Sequence, residues 1–272
     1  MRKKFDTTFH INCNNHPVRT NMLDLVAVAF NNEYTIEQQY RLLNKYLADP
    51  FCYTVADNST MPLKQQKILE VCRKAKIGYF RLPSNPLITR SHIANYSHGM
   101  ACNWLYNNYI KPRAAPYFGF LDHDIYPVRK TNIINILHNQ PIFGRREPLV
   151  RGYLTLGNLS IPTAQFDASA NIWYLKAGFS FFRRDLVLGK LMDFTPNKGW
   201  DTGFSNWGSI YSKIDPATIE FPMHITCKLT DSNGVQVGWY EIIGDWIHPT
   251  GASDWPYSEK EIQRLLEQYE EK

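Results

Sequence analysis

Residues 23–60 read LDLVAVAFNNEYTIEQQYRLLNKYLADPFCYTVADNST. The first eight form an apolar run interrupted only by Asp24, too short for an ordinary helix and closed by Asn-Asn-Glu. Over 36–48 the apolar residues return at helical spacing, and CYTVADNST (52–60) reads as a second strand. Strand, helix and strand in so short a span make one crossover unit, the connection that joins parallel strands.

The pattern continues outward. PLKQQKILEVCRKAK (62–76) opens on a proline suited to a first helical turn and predicts a second helix. GYFRLPSN (78–85) predicts a third strand, SHIANYSHGMACNWLYNNYI (91–110) a long helix, and PYFGFLDHDIYP (116–127) opens with a fourth strand. The β-α-β-α-β-α-β order predicts an α/β fold with a mostly parallel central sheet flanked by helices on both faces. Strands so covered are buried on both sides, which is why they read as continuous apolar runs. The second half is less regular: PIFGRRE (141–147), WYLKAGFSFFRR (173–184) and EIIGDWIHP (241–249) each predict a strand. The tail SEKEIQRLLEQYEEK carries a capping box, Ser258 to Glu261, and an apolar stripe at Ile262, Leu265, Leu266 and Tyr269. It is expected to form a helix packed on its own domain, with a partner interface as the other reading. With no repeat and no linker, one domain over 1–272 is the economical division: halves at about 23–127 and 128–255, then the tail.

The composition, 44% hydrophobic and 20% charged, is that of a globular protein. A net charge of +5 from scattered Lys and Arg gives no nucleic-acid footprint. Five widely spaced cysteines without a C-x-x-C pair argue against a disulfide framework and a zinc site. The basic N-terminus lacks a following apolar stretch, and no segment reaches transmembrane length, so the expectation is a soluble, cytoplasmic chain with no integral membrane segment.

The apolar run at 116–121 ends in Asp122 and Asp124. Two acids there repel each other and raise each other's pKa unless solvent or a cation relieves them. With 14 aspartates in the chain, roughly 0.7 D-x-D patterns arise by chance, so the motif alone is weak, and a solvated strand end is the plainer reading beside it. Its place is more telling, because ligands of open parallel sheets bind at the carboxyl ends of strands. Asp57 ends the second strand, so three acids are expected on one edge. Residues two apart on a strand face one way, which puts the pair about 7 Å apart. Magnesium and manganese are commonly held by one or two carboxylates plus phosphates and water, so Mn2+ or Mg2+ with a nucleoside diphosphate is the expected ligand.

LVAVAFNNE, YTVADNST, SNP ahead of SHGMACNW, and FLDHDIYP together resemble the nucleotide-binding half of GT-A fold glycosyltransferases, nearest the inverting family-two-like branch. The resemblance runs from about residue 23 to 255 and is looser in the second half. It implies transfer of a sugar from a nucleoside-diphosphate sugar, with UDP the default, to a hydroxyl of a glycan or lipid-linked acceptor. It implies that Phe30 and Asn31 lie beside the base, that Asp57, with Asn58, contacts base or ribose, and that His98 lies near the nucleotide. Asp122 would contact ribose or metal and Asp124 the metal. Gly178, in AGFSFFRRD, would allow close approach of the donor sugar, and Asp201, in KGWDTGFSNWGSIY, would be the catalytic base beside Trp200. His248, in DWIHPTGASDW, would be the third metal ligand; imidazole suits manganese better than magnesium. The chain departs from the family's pattern at His98, where an Asn-x-Gly is common, and at Trp200, where a Glu precedes the base.

Plainer readings stand beside these. Asp201 precedes a helical pattern and fits an N-cap, His248 fits a loop histidine bonded to a carboxylate, and His98 fits a packed or surface helix residue. The tryptophans fit a core, although Trp200 beside Asp201 also suits a sugar face. Arg183–Arg184 fits a strand end better than a phosphate contact. Two other functions use the same acids: a metal-dependent phosphoesterase or nucleotidyltransferase, and a non-catalytic nucleotide-sugar-binding family member.

Overall fold

The computed structural model describes residues 21–82, 94–113, 115–148, 153–156, 159–162, 172–196, 201–231, 233–251 and 258–270. In chain order the first half runs β1 (Leu23–Ala29), α1 (Glu33–Tyr46), β2 (Phe51–Asp57), α2 (Pro62–Ala75), β3 (Gly78–Arg81), α3 (Ala94–Leu105), a π-turn (Tyr106–Ile110), α4 (Lys111–Arg113) and β4 (Tyr117–Asp122). The second half runs β5 (Tyr126–Pro127), α5 (Ile133–Asn139), β6 (Ile142–Pro148), β7 (Tyr153–Leu156), β8 (Leu159–Pro162), β9 (Trp173–Arg183), α6 (Arg184–Val187), β10 (His224–Thr230), β11 (Gln236–Ile243), β12 (Trp246–Thr250) and α7 (Ser258–Tyr269).

The main sheet has the order β3-β2-β1-β4-β9-β6. Its first four strands are parallel, and β9 and β6 extend it in antiparallel fashion. Alternation along β1 shows why its sequence is apolar throughout. Leu23, Leu25, Ala27 and Ala29 pack with α1, α2 and α5, whereas Val26 and Val28 pack with α3 and the π-turn. Asp24, wholly buried in this run, is held by the Arg113 guanidinium at 2.9 and 3.1 Å. Asn32 caps α1 through Oδ1, and Pro62 occupies the first turn of α2.

A second, antiparallel sheet, β10-β11-β12-β5, joins the D-x-D segment through β5. Two predictions are corrected here. Residues 241–249 are not one strand but parts of β11 and β12, turned at Gly244 (φ 57°) and Asp245, and β10 was not foreseen at all. Gly-Asp between two apolar pairs is a hairpin signal, and β10 is exposed on most of its length, so it lacks the apolar pattern of a strand. The predicted 91–110 helix is α3 followed by the π-turn. Helix α7 lays Ile262, Leu265 and Leu266 on Leu42 and Tyr46 of α1 and on Ile247 of β12, and Glu270 pairs with Arg41 and Lys45. Among the described residues no helix is long and apolar enough to cross a membrane.

Candidate active site

Strand β4 ends at Asp122, and the chain turns at once: the Ile125 N–H donates to the Asp122 carbonyl at 3.2 Å. The D-x-D therefore lies in a turn and not along a strand, which corrects the 7 Å spacing read from the sequence. Buried Gln39 of α1 holds the turn, donating to the carbonyls of Asp122 (2.8 Å) and Ile125 (2.6 Å) while accepting from the Tyr53 hydroxyl. His123, between the two acids, points its ring at the Val28 carbonyl.

The turn brings Asp122 and Asp124 to His248 of β12. One donor atom from each of the three lies within 4.8 Å of the others. His248 Nε2 is 3.4 Å from Asp124 Oδ1 and 3.9 Å from Asp122 Oδ2. Donors at about 2.1 Å from one ion and at right angles lie about 3 Å apart, so the set fits a single divalent cation after a small contraction. Carboxylates suit magnesium or manganese, and the added imidazole favours a transition metal over magnesium. His248 is oriented from behind, its Nδ1 lying 2.9 Å from Glu241 Oε2, its cross-strand neighbour. Glu241 is in turn held by Arg145 at 2.7 Å, and Arg145 by Glu147 at 2.6 Å, with His224 3.4 Å from the other Glu241 oxygen. A carboxylate behind a histidine fixes its tautomer and leaves Nε2 for a metal.

The electrostatics describe a site that demands positive charge. Burial works to lower the His248 pKa, but Asp124 and Glu241 outweigh it and raise the value to about 9. Burial would raise Glu241, yet His248, Lys176 and Arg145 bring it down to about 2. Against the same desolvation, His98 and His248 hold Asp122 far below the usual carboxylate range. Asp124 is lowered too, chiefly by His248 acting against burial. The proton on His248 thus stands where an ion would bring two charges.

Gly178 of β9 faces Asp122 directly. A Cβ there would fall 2.0 Å from the Asp122 Cγ, so the close approach at this glycine is made by the carboxylate itself. His98 of α3 also reaches the site, its Nε2 3.2 Å from Asp122 Oδ1 and 3.7 Å from Cys102 Sγ. Asp57 lies at the same sheet edge but is wholly buried, accepting from Ser59 N–H and the Tyr79 hydroxyl. It is not one of the three grouped donors. Beside it, Asn31 (φ 50°) accepts from the backbone of Thr60 and Met61 ahead of α2, Asn58 donates to Ser97 of α3, and Phe30 is half-buried.

Asp201 is half-buried and receives the Thr202 N–H at 2.7 Å; the Thr202 carbonyl accepts from Ala177, next to Gly178. No α-helix follows it, which corrects the N-cap reading: a 3-10 turn (Phe204–Asn206) begins there, capped at Gly203 without a side-chain bond. Trp200 lies outside the described residues. Trp173 and Trp246 are core, whereas Trp239 is exposed. Arg183 lies opposite Tyr117, the start of β4, because β9 runs antiparallel; the arginine pair is therefore at the far edge from the acids. Arg184 spends its guanidinium on the carbonyls of Ile110 and Lys111.

Sequence reasoning did not reach Gln39, Arg145, Glu241 or Lys176. Glu241 alone carried a signal, since the Gly244–Asp245 turn sets it across from His248.

No family model and no curated protein matches the chain. Solved structures similar to it include two mannosyltransferases and TarS. One is a Pyrobaculum calidifontis mannosyltransferase in complex with GDP-Man and Mn2+, at 11% identity and a TM-score of 0.37, covering 69% of this chain and 50% of that one. Staphylococcus aureus TarS 1–349 with UDP-GlcNAc gives 15% and 0.36, covering 61% and 46%. The Saccharomyces cerevisiae mannosyltransferase Ktr4p with GDP gives 9% and 0.46, covering 100% and 87%. The chain thus spans about half the length of the first two. The likeness is distant, and the chain's own side chains carry the functional reading.

Proposed function

We propose that the chain is a metal-dependent glycosyltransferase that moves a sugar from a nucleoside-diphosphate sugar, with UDP first in order, to a hydroxyl of a glycan or lipid-linked acceptor, with inversion. The observation that supports it is the convergence of Asp122, Asp124 and His248 at the carboxyl edge of parallel strands, backed by Glu241. Asp122, Asp124 and His248 would hold Mn2+ or Mg2+, which when bound neutralises the departing diphosphate as a Lewis acid. Phe30, Asn31 and Asn58, with Asp57 behind them, form the rim where the base would lie. His98 positions the Asp122 carboxylate, and Gly178 leaves it room. Asp201, beside the same stretch of β9, would take the proton from the attacking hydroxyl.

The test is a thermal-shift and turnover panel of UDP- and GDP-sugars, each with and without Mn2+. Stabilisation by a nucleotide sugar that requires Mn2+, followed by release of nucleoside diphosphate, is the expected result. Absence of any Mn2+-dependent stabilisation, or release of free phosphate or pyrophosphate in place of nucleoside diphosphate, refutes the assignment.

A further inference from the structure

Strands β6 and β9 are neighbours, but their ladder breaks at one place. Gly144 lies opposite Ser180 and Arg146 opposite Leu175, so Arg145 and residues 176–179 drop out of the pairing. Bulges of this kind re-aim a side chain and are frequent beside active sites. Gly144 permits the break, since a Cβ there would strike the Phe179 carbonyl. Its location is the metal centre: Gly178, which faces Asp122, belongs to the unpaired stretch of β9. What the bulge delivers is a buried guanidinium between two carboxylates. Arg145 Nη1 donates to Glu241 Oε2 at 2.7 Å, and Nη2 lies 2.6 Å from Glu147 Oε1. The same Glu241 oxygen stands beside His248 Nδ1, whereas Oε1 is 3.4 Å from His224. Arg145 therefore decides which way Glu241 turns, pinning the oxygen that orients His248 and leaving the other to His224. Its own Nε–H has no acceptor among the described residues, so the guanidinium is placed for the two carboxylates. A lysine could not replace it, because one ammonium lacks the planar fork that holds two carboxylates in fixed directions.

By charge alone Arg145 is out of place. A buried cation two hydrogen bonds from a divalent-ion site repels the ion, and a role in orientation accounts for what charge does not. We infer that Arg145, carried on the β6 bulge and braced by Glu147, is a positioning residue of the metal centre: it holds Glu241 against His248 and so aims His248 Nε2 at the ion. The inference rests on the metal reading of Asp122, Asp124 and His248 above, and adds to it the residues that set the affinity of that site.

The experiment titrates Mn2+ into the full chain and into Arg145→Met, Arg145→Lys, Glu241→Gln and Arg145→Met/Glu241→Gln. Free Mn2+ is followed by its paramagnetic resonance and the folded fraction by near-ultraviolet circular dichroism. Arg145→Met should bind Mn2+ about tenfold more weakly at the parent's stoichiometry, the lower end of what an outer partner of a metal ligand is worth; charge repulsion alone predicts tighter binding. Arg145→Lys keeps the charge and loses the fork, and should fall about threefold. In the Glu241→Gln background, Arg145→Met should change the affinity by less than about twofold, because the group it works through has gone. That double variant leaves no unpaired buried carboxylate, so with Arg145→Lys it decides the matter even if Arg145→Met alone does not fold. A merely structural arginine would lower the folded fraction, and with it the amount of Mn2+ bound, at unchanged affinity. Unchanged or tighter binding in the folded Arg145 variants, or an equal loss in both backgrounds, overturns the inference and leaves the metal site standing. A parent chain that binds no Mn2+ removes the metal reading, and the inference falls with it.

Discussion

Replacing Gly178 with alanine separates the metal centre from the rest of the fold. The glycine is in an extended strand with no positive φ, so alanine costs nothing in backbone strain. What it meets is Asp122: the new methyl would sit 2.0 Å from Cγ and Oδ2 and 2.2 Å from Oδ1. Ordinary contact needs about 1.4 Å more, and the only group free to give way is the carboxylate, which is 21% exposed. Swinging it out breaks the 3.2 Å bond to His98, a charge-assisted bond worth about 1.5–3 kcal/mol. Solvent at the new position returns part of this, leaving a loss of about 2 kcal/mol, or about 4–8 °C in midpoint for a chain of this size. The metal suffers more, since losing even an outer partner costs about 10–100-fold in affinity and a lost donor is at or beyond the upper end. Thermal melts with and without MnCl2, and paramagnetic titration of free Mn2+, read both numbers. The double variant Gly178→Ala/Asp122→Ala should recover much of the stability and none of the metal binding, because the methyl then has nothing to strike. Mn2+ affinity in Gly178→Ala within about threefold of the parent would refute Asp122 as a donor.

In the metal-free protein His248 holds its proton up to about pH 9, so an entering ion must displace it. Mn2+ affinity should rise about tenfold per pH unit toward that value and then level, with about one proton released in calorimetry run in two buffers. The raised pKa also means that His248 stabilises the metal-free fold fully below its unfolded value of 6.5 and loses that contribution as pH rises through about 9. Glu241, lowered to about 2, contributes above 4.5 and ceases to as pH falls through about 2. Glu241→Gln removes the negative partner of buried Arg145 and unlocks His248; denaturant melts should show a loss of about 3–5 kcal/mol and Mn2+ titration a fall of about 10–100-fold. Asp201→Asn should retain Mn2+ and nucleotide binding while turnover drops about 10²–10⁴-fold, and undiminished turnover would remove it as the base.

The sheet edge that bears the site was legible from residues 23–122 because each strand is sandwiched between helices. Burial on both faces forces the continuous apolar runs of Leu23–Ala29 and Tyr117–Leu121, and the second run breaks at Asp122, where the strand ends. The second sheet was illegible for the opposite reason. Strand β10 is solvated along most of its length, so nothing in its composition distinguishes it from a loop. Arg183 and Arg184 stand at a strand end as their sequence suggests, and the antiparallel direction of β9 sends them to the edge far from the acids.

By itself the chain determined the crossover units, the order of the parallel strands' elements and the two acids at a strand's carboxyl end, all consequences of local period and of where apolar runs break. Only the tertiary structure decided that a turn gripped by Gln39 folds those acids together, that a hairpin more than a hundred residues later delivers His248 backed by Glu241, and that Gly178 leaves room for Asp122. Those contacts join residues far apart in the chain, and the free energy that selects them comes from desolvated charges finding partners in three dimensions, which no period along one strand encodes.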